Sequence, residues 1–160
     1  MSARLLALTI AWSILASALL GEGAPQKVVF IVAAASHLRI LSLRDAKIYF
    51  ELKHTSGPDG SPITIAMREP GPERETVLAL VLKKSDADLN RYFMQAVFTG
   101  AIASAPKTVI GAAATKHFVA GTPGAIGYIM EGDLDDSVHA LAIDGIQPSS
   151  PTYPLVVGAK

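Results

Sequence analysis

The sequence predicts an α/β fold in which helices cover both faces of a mixed β-sheet. Half of the 160 residues are hydrophobic and 18% are charged, which is typical of a chain with a buried core. Short runs rich in β-branched residues alternate with longer segments of helical periodicity. No repeat or linker divides the chain, so one domain is expected at this length.

The first strand and the first helix are predicted near the start of this domain. The run KVVFIVAAA, residues 27–35, is continuously apolar, as in a strand buried on both faces of a sheet. The helix SLRDAKIYFEL, residues 42–52, follows, with Ser42 and Asp45 spaced as in a capping box. Its apolar face is predicted to carry Leu43, Ala46, Tyr49 and Phe50.

A second strand, ITIAM, is predicted at residues 63–67 and leads to a second helix. Pro72 suits the first turn of a helix, because its fixed φ matches and its missing N–H is not needed there. Glu73 and Glu75 complement the positive end of the same helix, and the lysines at 83–84 suit its negative end.

The second half of the chain continues the alternation of helices and strands. Ser85, with Asp88 three residues later, caps a third helix that stops at Thr99 and Gly100. The remaining predicted elements are a strand at 107–111, a helix at 112–120 and strands at 125–129 and 138–143.

The two ends of the chain are expected to lie outside the α/β domain of residues 25–147. Arg4 precedes the uncharged run 5–20, and small residues near Ala18 complete the pattern of a signal peptide at 1–24. An uncleaved anchor is the alternative, although the run is shorter than the roughly 20 residues that span a bilayer. Residues 148–160 are rich in proline and serine and are predicted to be loosely ordered.

Composition excludes several classes of function. Lys plus Arg equals Asp plus Glu, 14 each, so no global field attracts nucleic acid or an anionic membrane. There is no cysteine, and no motif of a nucleophilic hydrolase or phosphate loop is present. The acidic segment 133–136 is interpreted as a solvated turn rather than a calcium loop. No cofactor or metal is expected, because no short ligand spacing joins the four histidines, His37, His54, His117 and His139.

Four segments, in order, resemble the family of phosphate-type periplasmic solute-binding proteins, the substrate-binding components of phosphate ABC transporters. They are SLRDAKIYFELKHTSGPDGSPI at 42–63, ITIAMRE followed by GPER at 63–74, RYFMQAVFTG at 91–100 and GTPGAIGYI at 121–129. The string PGAIGY in the last is the most specific. The resemblance covers about residues 27–145 and implies a non-enzymatic binding protein, periplasmic or secreted.

The resemblance also implies a fold and a ligand. Members of the family have two lobes that close on their solute, whereas the 136 residues left after a 24-residue signal peptide fit one lobe. The matched segments look like the second lobe. We therefore expect a single periplasmic-binding-protein-like lobe, and the ligand implied is phosphate or another small oxyanion.

By the same resemblance, Arg68 occupies the position of the family's anion-binding arginine. An anion there would be held by Arg68, Gly71, the N–H groups of Glu73 and Arg74 at the helix start, and the hydroxyl of Ser42.

The composition of this turn weakens the prediction of tight binding. Prolines remove donors, and three carboxylates would repel a dianion. The alternative is that Arg68 forms an ion pair with Glu69, Glu73 or Glu75. In that case the chain is an interaction module without a ligand, which binds an envelope protein or itself.

The glycines of GTPGAIGYI are interpreted as structural. Gly124 follows Pro123 in a turn, where a positive φ is expected. Gly127 lies within the predicted strand and would let a neighbouring element approach closely.

Overall fold

The computed structural model describes residues 24–159, and its core is a five-stranded mixed sheet. The strand order is β4-β3-β5-β1-β6, and a separate pair is formed by β2 and β7. The strands are β1 (Val28–Ala33), β2 (Ile40–Leu41), β3 (Thr64–Arg68), β4 (Lys107–Val109), β5 (Ala125–Met130), β6 (Val138–Ala140) and β7 (Ala142–Ile143). The helices are α1 (Leu43–Phe50), α2 (Pro72–Val77), α3 (Asp86–Phe98) and α4 (Ala112–Gly121).

Strand β1 lies inside the sheet and runs antiparallel to both of its neighbours, β5 and β6. Its first five residues are buried, as the apolar run 27–35 predicts. Strand β3 pairs in parallel with β5 on one side and with β4 on the other. Strand β4 is therefore an edge of the sheet, and the ends of β3 and β4 lie side by side.

Helices cover both faces of the sheet, as predicted. A Cβ on Gly127 of β5 would lie 3.0 Å from the side chains of Thr115 and Val119, which places α4 on that face. The next residue, Tyr128, points to the opposite face. There the centre of its ring lies 5.7 Å from the centre of the Phe50 ring, so α1 covers the second face. The close approach predicted at Gly127 is confirmed.

The predicted helix starts are confirmed by their caps. Ser42 Oγ accepts a hydrogen bond from the N–H of Asp45 at 2.9 Å, and Ser85 Oγ accepts one from the N–H of Asp88 at 3.1 Å. Each bond satisfies a backbone donor that has no partner inside its helix. The hydroxyl of Ser42 thus contributes to the stability of α1.

The second helix begins at Pro72 as predicted, but only its first six residues are α-helical. The segment Leu78–Leu82 continues it as a π-helix, and Lys83 ends it in the left-handed region with φ of 54°. This wider turn buries Leu78, Val81 and Leu82 in the core.

The single strand predicted at 138–143 is wrong, because the structure divides it. Residues Val138–Ala140 pair with β1, whereas Ala142–Ile143 pair in parallel with β2. The chain changes its pairing partner at Leu141. The N–H of Leu141 still donates to the carbonyl of Phe30 in β1, whereas the N–H of Ala142 donates to the carbonyl of Arg39, the residue before β2. The strand β2, which is only two residues long, was not predicted.

The chain beyond residue 148 differs from the loose order predicted from its prolines. Tyr153 is 2% exposed and Leu155 is fully buried. The N–H of Val28 donates to Leu155 at 2.9 Å, and Lys27 Nζ donates to the carbonyl of Pro148 at 2.6 Å. Local composition misled the prediction, because two apolar side chains buried beside β1 are enough to fix this segment.

Residues 1–23, which carry nearly all of the predicted signal peptide at 1–24, lie outside the described residues. Within residues 24–159, no helix is both long and apolar enough to cross a bilayer.

Candidate functional site

The candidate site begins where β3 ends, at Arg68. Only 5% of this residue is exposed. Its backbone N–H donates to the hydroxyl of Tyr128 at 3.0 Å, which ties the end of β3 to the neighbouring strand β5. Burial raises the pKa of Tyr128 to about 12, so the hydroxyl stays neutral and remains an acceptor.

The guanidinium of Arg68 is bound by two carboxylates of its own chain. Its Nε lies 3.1 Å and its Nη2 2.9 Å from the two oxygens of Glu69, a bidentate arrangement. Nη2 also lies 3.3 Å from Glu73 Oε1. The remaining nitrogen, Nη1, is buried and has no hydrogen-bond partner among the described residues.

The carboxylate of Glu69 is held from a second direction by the start of α4. The N–H of Gly111, the residue before this ten-residue helix, donates to Glu69, with both oxygens 3.1 Å away. Bonding to Arg68, supported by the N–H of Gly111, lowers the pKa of Glu69 to about 2. Because Glu69 is ionised at neutral pH, an anion already occupies the space between Arg68 and α4.

The second predicted arginine, Arg74, is also bound internally. Its Nη1 donates to the backbone carbonyl of Arg68 at 2.9 Å. Its Nε and Nη2 each lie 2.7 Å from Asp86 Oδ1, at the start of α3. Arg74 is 8% exposed and therefore joins the end of β3 to α3.

The charges of this group do not balance. Arg68 and Arg74 contact three carboxylates, those of Glu69, Glu73 and Asp86, so one negative charge is in excess. The arrangement repels a free dianion unless one of the carboxylates moves away.

Two other predicted site residues, Gly71 and Ser42, take no part in these ion pairs. Gly71 is the residue before α2, and no side chain caps the start of that helix. Ser42 caps α1, and no hydrogen bond recorded within residues 24–159 joins it to Arg68. The interpretation of Arg68 as an ion pair is confirmed for Glu69 and Glu73, whereas Glu75 is exposed.

The residue that the sequence did not reveal is Gly111. Residues 107–111 were predicted as a strand, whereas β4 ends at Val109 and Gly111 adopts a positive φ of 82° before α4. A glycine followed by a run of alanines was the available signal for a helix start. In the part of the chain that the structure describes, no group of three or more His, Asp or Glu residues is arranged to hold a metal.

The mixed sheet and the helices on both of its faces agree with the fold class predicted from the sequence. This chain has the fold of one lobe of a phosphate-type solute-binding protein.

Solved structures of that class match this chain along most of its length. A protein from Clostridium perfringens, described as a phosphate ABC transporter substrate-binding protein with bound phosphate, superposes with a TM-score of 0.67 and 23% identity. An ABC-type phosphate transport receptor from Vibrio cholerae gives 0.66 and 19%, and PstS from Borrelia burgdorferi gives 0.64 and 14%. Each match covers 84% of this chain but only 54%, 55% and 55%, respectively, of the other chain.

This chain therefore spans about half the length of the structures that it matches. No protein-family model and no curated protein sequence matches it. At these identities the likeness establishes the fold.

The contact of Glu69 with Arg68 predicts a dependence of stability on pH. The pKa of Glu69 is about 2 in the folded chain against an ordinary 4.5, so the contact stabilises the fold fully above pH 4.5. That contribution is lost as the pH falls from 4.5 to about 2, and we expect it to amount to about 1–2 kcal/mol at this partly exposed site. Urea denaturation of the wild type and of Glu69→Gln, between pH 2 and 6, measures it. A Glu69 carboxyl carbon that titrates near 4.5 by NMR would contradict the prediction.

Proposed function

We propose that this chain is an exported, non-enzymatic protein of the solute-binding class that holds a small oxyanion, such as phosphate, at Arg68. The observation that carries the proposal is the way in which Arg68 and Gly111 bind the carboxylate of Glu69. A guanidinium fork and the N–H at a helix start are the donors that recognise an oxyanion. Both kinds of donor meet here, and they bind the carboxylate of Glu69.

The buried position of Arg68 supports binding of a solute in addition to a structural ion pair. Its Nη1 is enclosed and has no hydrogen-bond partner within residues 24–159, which is costly for a charged donor inside a protein. An oxyanion with three or four oxygens has more acceptors than a carboxylate and would satisfy this nitrogen. The bound phosphate in the structure from Clostridium perfringens agrees in chemical class with this proposal.

The carboxylate of Glu69 sets the affinity that we expect. A phosphate ion cannot occupy the space between Arg68 and Gly111 until Glu69 withdraws, and 30% of the Glu69 side chain faces solvent, where it has room to move. The wild-type chain is therefore expected to bind phosphate weakly, with a Kd in the millimolar range, about 4 kcal/mol of binding free energy.

The test is a comparison of phosphate binding between the wild type and Arg68→Ala. Phosphate, sulfate and molybdate would be titrated calorimetrically, and the melting temperature would be recorded in parallel at constant ionic strength. We expect weak binding and a rise in melting temperature in the wild type, both lost in Arg68→Ala. Arg91→Ala is the matched control, because Arg91 is an exposed arginine of α3 and should not change binding. Equal binding by Arg68→Ala would refute the proposal.

The second candidate is an interaction module, and one surface favours it. Met94, Val97 and Phe98 lie on one face of α3 and are 70%, 41% and 91% exposed. An apolar stripe of this kind is typical of a contact surface. No response to any oxyanion, together with a solution mass of a dimer by sedimentation, would favour this candidate over the first.

A further inference from the structure

A groove lies between the edge strand β4 and helix α4. Its volume is about 690 Å³, and it is open to solvent along one side. Val109 and Phe118 contribute apolar surface to it, and Ile110, 78% exposed, lies at its mouth. None of the functions considered above uses this groove.

Among the residues that the structure describes, the outward backbone groups of β4 have no hydrogen-bond partner beside the groove. Val109 pairs with Arg68, and its carbonyl accepts from the N–H of Glu69 at 3.3 Å, so the backbone groups of Val109 face β3. Successive residues of a strand direct these groups to opposite sides. Those of Thr108, and by the same alternation those of Ile110 just after the strand, therefore face outward, where β4 has no neighbour among the described strands. Such an edge can accept a further strand.

The charge of the groove indicates what would bind there. Lys107 and His117 are among the residues that line it, and no acidic residue of the described chain does. Lys107 Nζ lies 4.9 Å from the centre of the Phe118 ring, so its charge is held over the apolar floor. The groove thus combines an apolar centre with the positive charge of Lys107.

From these features we infer that the groove binds an extended peptide segment with acidic ends and an apolar centre. The peptide adds to the sheet as a strand beside β4, and its backbone pairs with Thr108 and Ile110. Apolar side chains of the peptide face Val109 and Phe118, and its carboxylates face Lys107. Addition of a strand to a sheet edge is a general mode of peptide recognition. This inference does not depend on anion binding at Arg68.

The experiment uses the full-length protein and a fluorescent eight-residue peptide with blocked ends, two glutamates at each end and alternating valine and threonine in the centre. We expect saturable binding by fluorescence anisotropy. In NMR spectra the amide of Thr108 should shift and exchange more slowly with solvent. The same peptide with lysine in place of glutamate should bind at least about tenfold more weakly, because Lys107 is positively charged.

Two substitutions at one position separate backbone pairing from side-chain contact. Thr108→Pro removes the outward N–H without breaking a hydrogen bond to β3, which an edge strand tolerates, and should weaken binding about tenfold. Thr108→Val keeps that N–H and should leave binding unchanged. If Thr108→Pro does not fold, Lys107→Glu replaces it and should reverse the preference between the two peptides.

Three results would overturn the inference. They are absence of binding by the glutamate peptide, equal binding by Thr108→Pro, and a concentration-dependent dimer of the wild type that Thr108→Pro abolishes. The last result would show that the edge pairs with a second copy of this chain.

Discussion

Replacement of Glu69 with alanine is expected to strengthen the binding of phosphate by about 10- to 100-fold. The substitution removes the carboxylate that Arg68 and Gly111 now hold and leaves their N–H groups free. It also cancels the excess negative charge of the group. At about 4 Å, one charge contributes roughly 1–4 kcal/mol between the dielectric limits of water and a protein surface, which brackets the expected gain. Calorimetric titration of both proteins with phosphate measures it.

Two further variants make this prediction specific. Glu75→Ala is the matched control, because Glu75 is an exposed glutamate of α2 and should leave the Kd unchanged. If Glu69→Ala does not fold, Glu69→Gln replaces it. Glutamine removes the charge but keeps the shape of the side chain, so the gain in phosphate affinity should be smaller. Phosphate should also raise the melting temperature of Glu69→Ala more than that of the wild type. Equal affinities in folded Glu69→Ala and wild type would show that Glu69 does not compete with the ion.

Substitution of Gly124 with alanine is expected to lower the free energy of unfolding by about 3 kcal/mol or more. Gly124 has a φ of +73°, and a Cβ there would lie 1.8 Å from the carbonyl oxygen of Pro62. The obstacle is backbone, which no side-chain rotation can relieve. The backbone near Pro62 cannot move away easily, because the N–H of Thr64 donates to the carbonyl of Gly124 at 3.0 Å and holds the two segments together. Urea denaturation measures the change in stability.

The control for this prediction lies three residues earlier. Gly121 ends α4, and a Cβ added there meets no atom within 4 Å. Gly121→Ala should therefore be neutral or stabilising by up to about 1 kcal/mol, because alanine favours the helix. If Gly124→Ala unfolds at the same urea concentration as Gly121→Ala, the close contact with Pro62 is not a constraint on the fold.

Local features of the sequence predicted most of the elements because the signals lie within a few residues. Ser42 and Ser85 each bond an N–H three residues away, so their spacing alone indicates a helix start. The positive φ at Gly124 follows from its place after Pro123. The same reasoning failed at 138–143, since the transfer from β1 to β2 depends on strands distant in the chain.

The candidate site was predictable in part. Arg68 and its acidic neighbours are visible in the sequence, and the ion pair between them requires only that β3 end there. The partner at Gly111 is 42 residues from Glu69 and belongs to another element. No periodicity or cap signals that contact.

The sequence by itself determined the α/β class, the helix caps and the charged group that follows β3, because periodicity, capping and residue type act over short distances. The tertiary structure alone decided that Glu69 binds the start of α4. The parallel register of β3 and β4 pairs Arg68 with Val109 and so brings the next residue, Glu69, beside Gly111. Strand register depends on packing across the whole sheet, so it is packing that places the Glu69 carboxylate between Arg68 and the start of α4.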